Sequence, residues 1–101
     1  MKKTLLILSL TLGAAVPAMA DLALATTKNC MGCHAVERRV LGPSYKEIAT
    51  RYKGDSGASA ALAIKIREGG KGVWGPIAMP ANRQVSEADA KKLAEWVLST
   101  R

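Results

Sequence analysis

The sequence predicts an all-α domain of about four helices with no sheet. Apolar residues recur every three or four positions in four segments, the spacing that places them on one face of a helix. No run of alternating apolar residues is long enough for a central strand. The chain has 101 residues, and without a short N-terminal leader it has the length of one domain, 21–101.

The first two helices are predicted from different signals. The first covers about 22–29, and its helical face holds Leu22, Ala25 and Thr26. The second begins with the capping-box pattern Ser44-Tyr45-Lys46-Glu47 and ends at Gly54. Its apolar stripe consists of Tyr45, Ile48, Ala49 and Tyr52.

The third and fourth helices have clearer ends. The third covers about 58–68 and stops at Gly69-Gly70, and the fourth begins at Ser86, with Asp89 three positions later, and runs to about Ser99. The third is expected to face inward with Ala61, Leu62 and Ile66, and the fourth with Ala90, Leu93, Ala94 and Val97, flanked by Trp96. The long loop 69–85 between them contains Trp74, Ile77 and Met79, which indicates an ordered, functional loop.

Residues 1–20 are typical of a secretory leader. Lys2 and Lys3 form a charged start, an apolar stretch covers 5–16, and Ala18-Met19-Ala20 is a small-x-small cleavage pattern. The apolar stretch is short for a membrane span, although an uncleaved anchor is the alternative. We expect cleavage after Ala20 and export to a bacterial periplasm, which leaves a domain over 21–101 with no stable membrane insertion.

The pattern Cys30-Met31-Gly32-Cys33-His34 is typical of covalent haem attachment. Each thiol adds to one vinyl group of the porphyrin, and the imidazole that follows is placed to ligate the iron. A structural zinc site needs four Cys or His ligands, and the chain has two Cys and one His, so it cannot complete one alone. A thiol-redox pair is the alternative.

The second axial ligand cannot be a histidine of the same chain, because His34 is the only one. Without the leader the methionines are Met31, which lies inside the attachment motif, and Met79, which is followed directly by Pro80. Met79 is therefore the expected ligand, with a core-filling methionine or a lysine ligand as alternatives. His/Met ligation raises the reduction potential and suits an electron carrier.

Four segments together resemble the small bacterial class I cytochromes c, most closely the cytochrome c-551 type. They cover the attachment motif through Ala35 and the segments 42–46, 72–80 and 93–98, and the likeness extends over nearly all of 21–101. The resemblance implies a class I cytochrome c fold, with about four helices around one haem c attached through Cys30 and Cys33.

The resemblance also implies roles for single residues. The Pro43 carbonyl is expected to accept a hydrogen bond from the far ring nitrogen of His34, which strengthens donation to the iron. Trp74 is expected to donate its indole N–H to a haem propionate, and Asn82 to donate its amide to the Met79 sulfur or to the nearby loop.

Two positions depart from the family pattern. Lys65 occupies a place where relatives often have a propionate-pairing arginine, and its point charge lacks the planar fork of that residue. Ala78 replaces a proline that is common before the methionine, so this loop is expected to be less stiff.

The expected function is one-electron transfer by a monomeric protein that is not an enzyme. The chain has 15 basic and 8 acidic residues, and loss of Lys2 and Lys3 leaves 13 against 8, a net charge of +5. An exported protein rarely meets nucleic acid, so the charge is expected to steer docking onto acidic patches of partner proteins or onto an anionic membrane surface, with solubility alone as the alternative. The resemblance implies a quinol–cytochrome c reductase as donor and an oxidase, nitrite reductase or peroxidase as acceptor.

The contact with those partners is expected at an exposed haem edge. The candidate apolar residues are Val40, Leu41, Pro76, Ile77 and Ala78, and the candidate framing cations are Lys28, Arg39, Lys65 and Lys71. A haem-based gas sensor with an open axial site is the rival function.

Overall fold

The computed structural model describes the backbone of residues 17–100 and the side chains of residues 21–100. Within this range the chain forms four α-helices, α1 (Pro17–Thr27), α2 (Tyr45–Arg51), α3 (Ala58–Glu68) and α4 (Glu87–Ser99), and a 3-10 turn at Cys30–Gly32. The described residues contain no strand, only one isolated antiparallel bridge in the loop after α3. The predicted all-α class is therefore confirmed.

Helix α1 differs from its prediction at both ends. It begins at Pro17, ahead of the expected cleavage point, and ends at Thr27, two residues early, because Asn29 adopts a left-handed conformation with φ 64°. Of the three residues predicted on one helical face, Ala25 is fully buried, whereas Leu22 and Thr26 are exposed. The Thr26 hydroxyl donates to the Leu22 carbonyl at 2.8 Å. Most of the predicted leader, residues 1–16, lies outside the described residues.

Helix α2 begins with the predicted capping box. The Ser44 hydroxyl accepts from the Glu47 N–H at 3.0 Å, and the Glu47 carboxylate accepts from the Ser44 N–H at 2.7 Å. The Ser44 N–H holds the pKa of Glu47 below its usual range, so this cap persists at neutral pH and weakens only in acid. The helix ends at Arg51, earlier than expected, and the left-handed Gly54 closes the turn that follows it.

Helix α3 has the predicted bounds but a rotated inner face. Ala58 is buried and Leu62 and Ile66 are half-buried, four positions apart each time, which leaves Ala61 exposed. The prediction that Ala61 faces inward is wrong, because the helix turns its buried stripe one position away. Ile64 is 60% exposed.

Helix α4 is the centre of the core and packs against each of the other three helices. Its N-cap Ser86 accepts from the Asp89 N–H at 3.1 Å. Trp96 is buried rather than flanking. The core cluster consists of Ala25, Tyr45, Ile48, Val85, Ala90, Leu93, Trp96 and Val97.

The contact between α1 and α4 joins the two ends of the described chain. The same four helices are too short or too polar to cross a membrane, within the residues that the structure describes. Helices α2, α3 and α4 leave a cavity between them and the loop 69–85, and this cavity contains the candidate site.

Candidate functional site

The cavity measures about 380 Å³ and its walls are mainly apolar. Residues from α2, α3, α4, the attachment turn and both long loops line it, so no single segment forms the site. Seven of the eight residues predicted to hold the cofactor lie in its wall: Cys30, Cys33, His34, Pro43, Lys65, Trp74 and Met79. The size and the apolar lining are those of a ligand site for a large organic group.

The 3-10 turn presents both cysteines to this cavity. The Cys33 and His34 N–H groups both donate to the Cys30 carbonyl, at 3.2 and 3.0 Å, which folds the motif tightly. Both thiols are half-buried and neither forms a disulfide. Burial raises the pKa of the Cys30 thiol, which keeps it protonated near neutral pH. Met31 lies in the same turn but outside the cavity wall.

The His34 ring is held by one hydrogen bond and one aromatic stack. Its Nδ1 lies 2.7 Å from the buried Pro43 carbonyl oxygen, and because a carbonyl can only accept, Nδ1 carries the proton and donates. This tautomer leaves the lone pair of Nε2 free to bind a metal. The Tyr45 ring stacks on the imidazole at 5.3 Å and packs edge-on against Trp96 at 5.1 Å.

Tyr45 is a site residue that the sequence reasoning placed only in the helix stripe. Its side chain lines the cavity, and burial raises the pKa of its phenol, so the hydroxyl stays neutral at physiological pH. The periodicity of α2 marked it as apolar and inward, and nothing local indicated that its neighbour is the imidazole.

Gly42 is a second residue whose role depends on close approach. A Cβ at this position would lie 2.6 Å from His34 Cε1, so only glycine leaves room for the ring. The Gly42 N–H donates to the Cys33 carbonyl at 2.8 Å, which ties the loop 33–44 back onto the attachment turn.

Gly42→Ala is expected to displace the His34 ring or its loop and to destabilise the protein by about 1–3 kcal/mol, the usual cost of overpacking. Denaturant unfolding and the ring-proton resonances of His34 measure the two effects. Gly32→Ala is the matched control, because a Cβ at position 32 meets no atom within 4 Å. Equal stability of the two variants would contradict a steric role for Gly42.

Met79 is fixed through its backbone to the residue pair that ends α3. Its N–H donates to the Gly70 carbonyl at 2.8 Å, and the Gly70 N–H donates to the Met79 carbonyl at 3.0 Å. Gly69, with φ 74°, has no room for a Cβ against the Met79 carbonyl. The thioether is half-buried and lies in the wall of the cavity.

Asn82 lies behind this loop and not in the cavity wall. Its amide donates to the carbonyl oxygens of Ile66 at 3.1 Å and Pro80 at 3.2 Å. Its backbone N–H donates to the Arg67 carbonyl at 3.0 Å. The Asn82 amide was expected to bond to the Met79 sulfur or to the nearby loop, and in the structure it bonds to the loop. Together these bonds hold the loop to the end of α3.

Trp74 and Lys65 both lie in the cavity wall. The Lys65 ammonium approaches the backbone of Gly70, where a Cβ would lie 2.6 Å from Nζ. Trp74 is half-buried, with the Arg51 guanidinium 4.5 Å from its ring centroid and that of Arg39 at 5.8 Å. The sequence reasoning missed Arg51, since its partner lies more than 20 positions away.

The mouth of the cavity has an exposed apolar rim. Ile77 is 64% exposed, Leu41 56% and Val40 47%, and Pro76 and Ala78 are exposed beside them. Arg39, Lys65 and Lys71 also line the cavity, whereas Lys28 does not.

An apolar cavity bounded by two unpaired thiols and by an imidazole with one free nitrogen defines a c-type haem protein. These groups fit the cofactor, because the thiols supply both thioethers and the walls match the macrocycle. The chain belongs to the cytochrome c family, whose sequence profile matches residues 22–101.

Individual relatives agree with this assignment. Cytochrome c-552 of Nitrosomonas europaea is 50% identical over 84 residues, which cover 83% of this chain and 82% of the relative. Cytochrome c-551 of Stutzerimonas stutzeri is 47% identical over 104 residues, covering 98% and 99%. The crystal structure of wild-type Nitrosomonas europaea cytochrome c552 superposes with a TM-score of 0.78 at 49% identity, over 79% of this chain and 99% of that one.

Membership makes this chain a small class I cytochrome c of the c-551/c-552 type. It holds one haem c covalently through Cys30 and Cys33. It is an electron-transfer protein and not an enzyme, and its partners are redox proteins.

Proposed function

We propose that this cytochrome is a periplasmic one-electron carrier whose haem iron is ligated by His34 and Met79. One observation carries the proposal: two potential iron ligands line the same cavity. The His34 imidazole donates its Nδ1 proton to a backbone carbonyl, and the backbone of Met79 is held by two hydrogen bonds. When bound, the haem supplies an iron centre that gains and loses one electron. Two protein ligands that stay in place in both oxidation states favour a carrier over a catalyst.

The Pro43 carbonyl and Tyr45 act on the first ligand. The hydrogen bond from Nδ1–H increases the basicity of Nε2 and fixes the plane of the ring. The stacked Tyr45 ring restricts rotation from one side. His34 therefore enters ligation already oriented, with its ring conformation set by the protein.

Trp74 and Lys65 are proposed to hold the haem propionates. Both side chains lie in the cavity wall, one with an indole N–H donor and the other with an ammonium. Asn82 is proposed to act one step further out, by keeping the Met79 loop against α3.

Export is proposed to proceed through the leader 1–20, with cleavage after Ala20. The helix that continues from Pro17 to Thr27 would then begin at Asp21 and would still contain Ala25, its fully buried residue. Attachment is proposed to follow export, and both thiols must then be unpaired, as they are in the structure, since a disulfide between them would block both thioethers.

The partners are proposed to be a membrane quinol–cytochrome c reductase as donor and an oxidase, nitrite reductase or peroxidase as acceptor. Electron transfer needs close approach, and the exposed rim of Val40, Leu41 and Ile77 offers a contact that excludes water. Arg39, Lys65 and Lys71 beside that rim support steering toward acidic surfaces. The carrier is proposed to act as a monomer that binds each partner briefly.

The visible spectrum of the exported protein in both oxidation states, with carbon monoxide added to the reduced form, tests the proposal. We expect a haem spectrum, a mass above that of the cleaved polypeptide and little carbon monoxide binding at neutral pH. Rapid, tight binding would indicate an open axial site and favour a gas sensor. A colourless product with two titratable thiols would favour a thiol oxidoreductase.

A further inference from the structure

Trp74 is contacted by two arginines that come from separate parts of the chain. The Cζ atom of Arg51, the last residue of α2, lies 4.5 Å from the centroid of the indole ring, and that of Arg39 lies 5.8 Å from it. Both distances allow cation–π attraction, which is strongest for tryptophan. The ring is therefore joined to α2 and to the loop 33–44.

Hydrogen bonds fix each guanidinium in place. Arg51 Nη1 donates to the Val73 carbonyl at 2.9 Å, directly beside the ring that it covers. Arg39 Nη2 donates to Glu47 at 3.3 Å, and the other carboxylate oxygen of Glu47 accepts from the Ser44 N–H at 2.7 Å. The capping box of α2 thus anchors one cation, and the last turn of α2 supplies the other.

We propose that Arg51 is a positioning residue that holds Trp74, and with it the segment 70–79, against the haem cavity. Trp74 lies between the two bridged residues Gly70 and Met79, so this segment is a closed loop fixed at its base. Arg51 adds a contact at the far side of that loop, bonding one backbone carbonyl and covering one ring. An apolar side chain at position 51 can make neither interaction.

The consequence for the cofactor rests on the proposed ligation by Met79. If the loop opens more often, its thioether leaves the cavity more often. Arg51 therefore slows the exchange of that ligand without touching the iron or the haem.

Amide hydrogen exchange in the holoprotein tests the positioning role directly. In Arg51→Leu we expect the Gly70 and Met79 amides to exchange about tenfold faster, the effect of losing one cation–π contact and one charged hydrogen bond. The buried amides of α4 should keep their rates, because the opening is local. Arg51→Lys should give an intermediate rate, since lysine keeps the charge but lacks the planar fork.

Lys53→Leu is the matched control. Lys53 is exposed, lies two positions further along the chain and loses the same charge. We expect the Gly70 and Met79 amides of that variant to exchange at the same rates as in the unmodified protein. Unchanged loop exchange in Arg51→Leu, or an equal rise in Lys53→Leu, would overturn the proposal. Arg51→Leu should add less in a Trp74→Leu background, where only its hydrogen bond to the Val73 carbonyl is left to lose, and a full additional effect there would refute the coupling.

The rate at which added imidazole displaces the sixth ligand of the oxidised protein separates this inference from the ligation itself. If imidazole displacement and amide exchange both become faster in Arg51→Leu by similar factors, the result supports both the positioning role of Arg51 and the ligation by Met79. Faster amide exchange with an unchanged displacement rate supports the positioning role and contradicts Met79 as the ligand.

Discussion

Met79→Ala is expected to lower the reduction potential of the holoprotein while the haem stays covalently attached. The thioether that we propose as the ligand favours ferrous iron, and its loss would leave the second axial position to water or to an added ligand. Axial ligands span roughly 0.8 V in haem proteins, so a fall on the order of 0.1 V or more is expected. Potentiometric titration gives the potential, and the visible spectrum gives the ligation state.

Met31→Ala is the control for this experiment. Both methionines are half-buried, but Met31 lies outside the cavity wall, so its truncation removes comparable apolar volume without removing a group that faces the cavity. We expect its spectrum and potential to match the unmodified protein. If the spectrum and the potential were also unchanged in Met79→Ala, Met79 would not be a ligand. A lysine ligand or an open axial site would then be the remaining explanations.

Cys33→Ser is expected to prevent normal covalent attachment and with it stable folding. Without the haem, the apolar walls of the cavity would be open to water, and a domain this small has little other apolar core to offset that loss. The whole stability of a small domain is only about 5–15 kcal/mol. The polypeptide without its cofactor therefore has little or no net stability, and most of the variant should accumulate as unfolded or degraded chain.

Ala35→Ser is the appropriate control, because it introduces the same side chain two positions away at a residue outside the cavity wall. Its yield of covalent holoprotein should be close to normal. The mass of the purified product and its helical circular dichroism measure attachment and folding separately. A normal yield of covalent holoprotein from Cys33→Ser would show that this thiol does not carry the haem.

Local signals predicted the parts of the fold that depend on local chemistry. Ser44 and Ser86 each cap the helix they were expected to cap, because the hydroxyl and its N–H partner are three positions apart. Helix α3 has its predicted bounds, since the glycine pair after it ends the helix. The end of α1 was not predicted correctly, because Asn29 adopts its left-handed conformation in the folded chain and the local sequence does not require that conformation.

The residues of the site fall into the same two groups, those that the local sequence predicts and those that only folding brings together. The attachment motif and the candidate ligand Met79 can be recognised in the sequence, because haem chemistry limits the residue types that can serve. The steric role of Gly42, the stack of Tyr45 on His34 and the contact of Arg51 with Trp74 depend on distances between segments that meet only after folding. The inward face of α3 was misjudged at Ala61 for a related reason, since the position of α4 decides which stripe is covered.

The paired hydrogen bonds between Gly70 and Met79 have a consequence for how such carriers diverge. They close residues 71–78 into a loop whose two ends are joined at its base. Exposed residues of this loop such as Ile77 can change while the backbone of Met79 keeps its anchorage, whereas Trp74 in the same loop is held by Arg51. Such changes alter the surface that redox partner proteins meet without moving the backbone that positions the Met79 side chain.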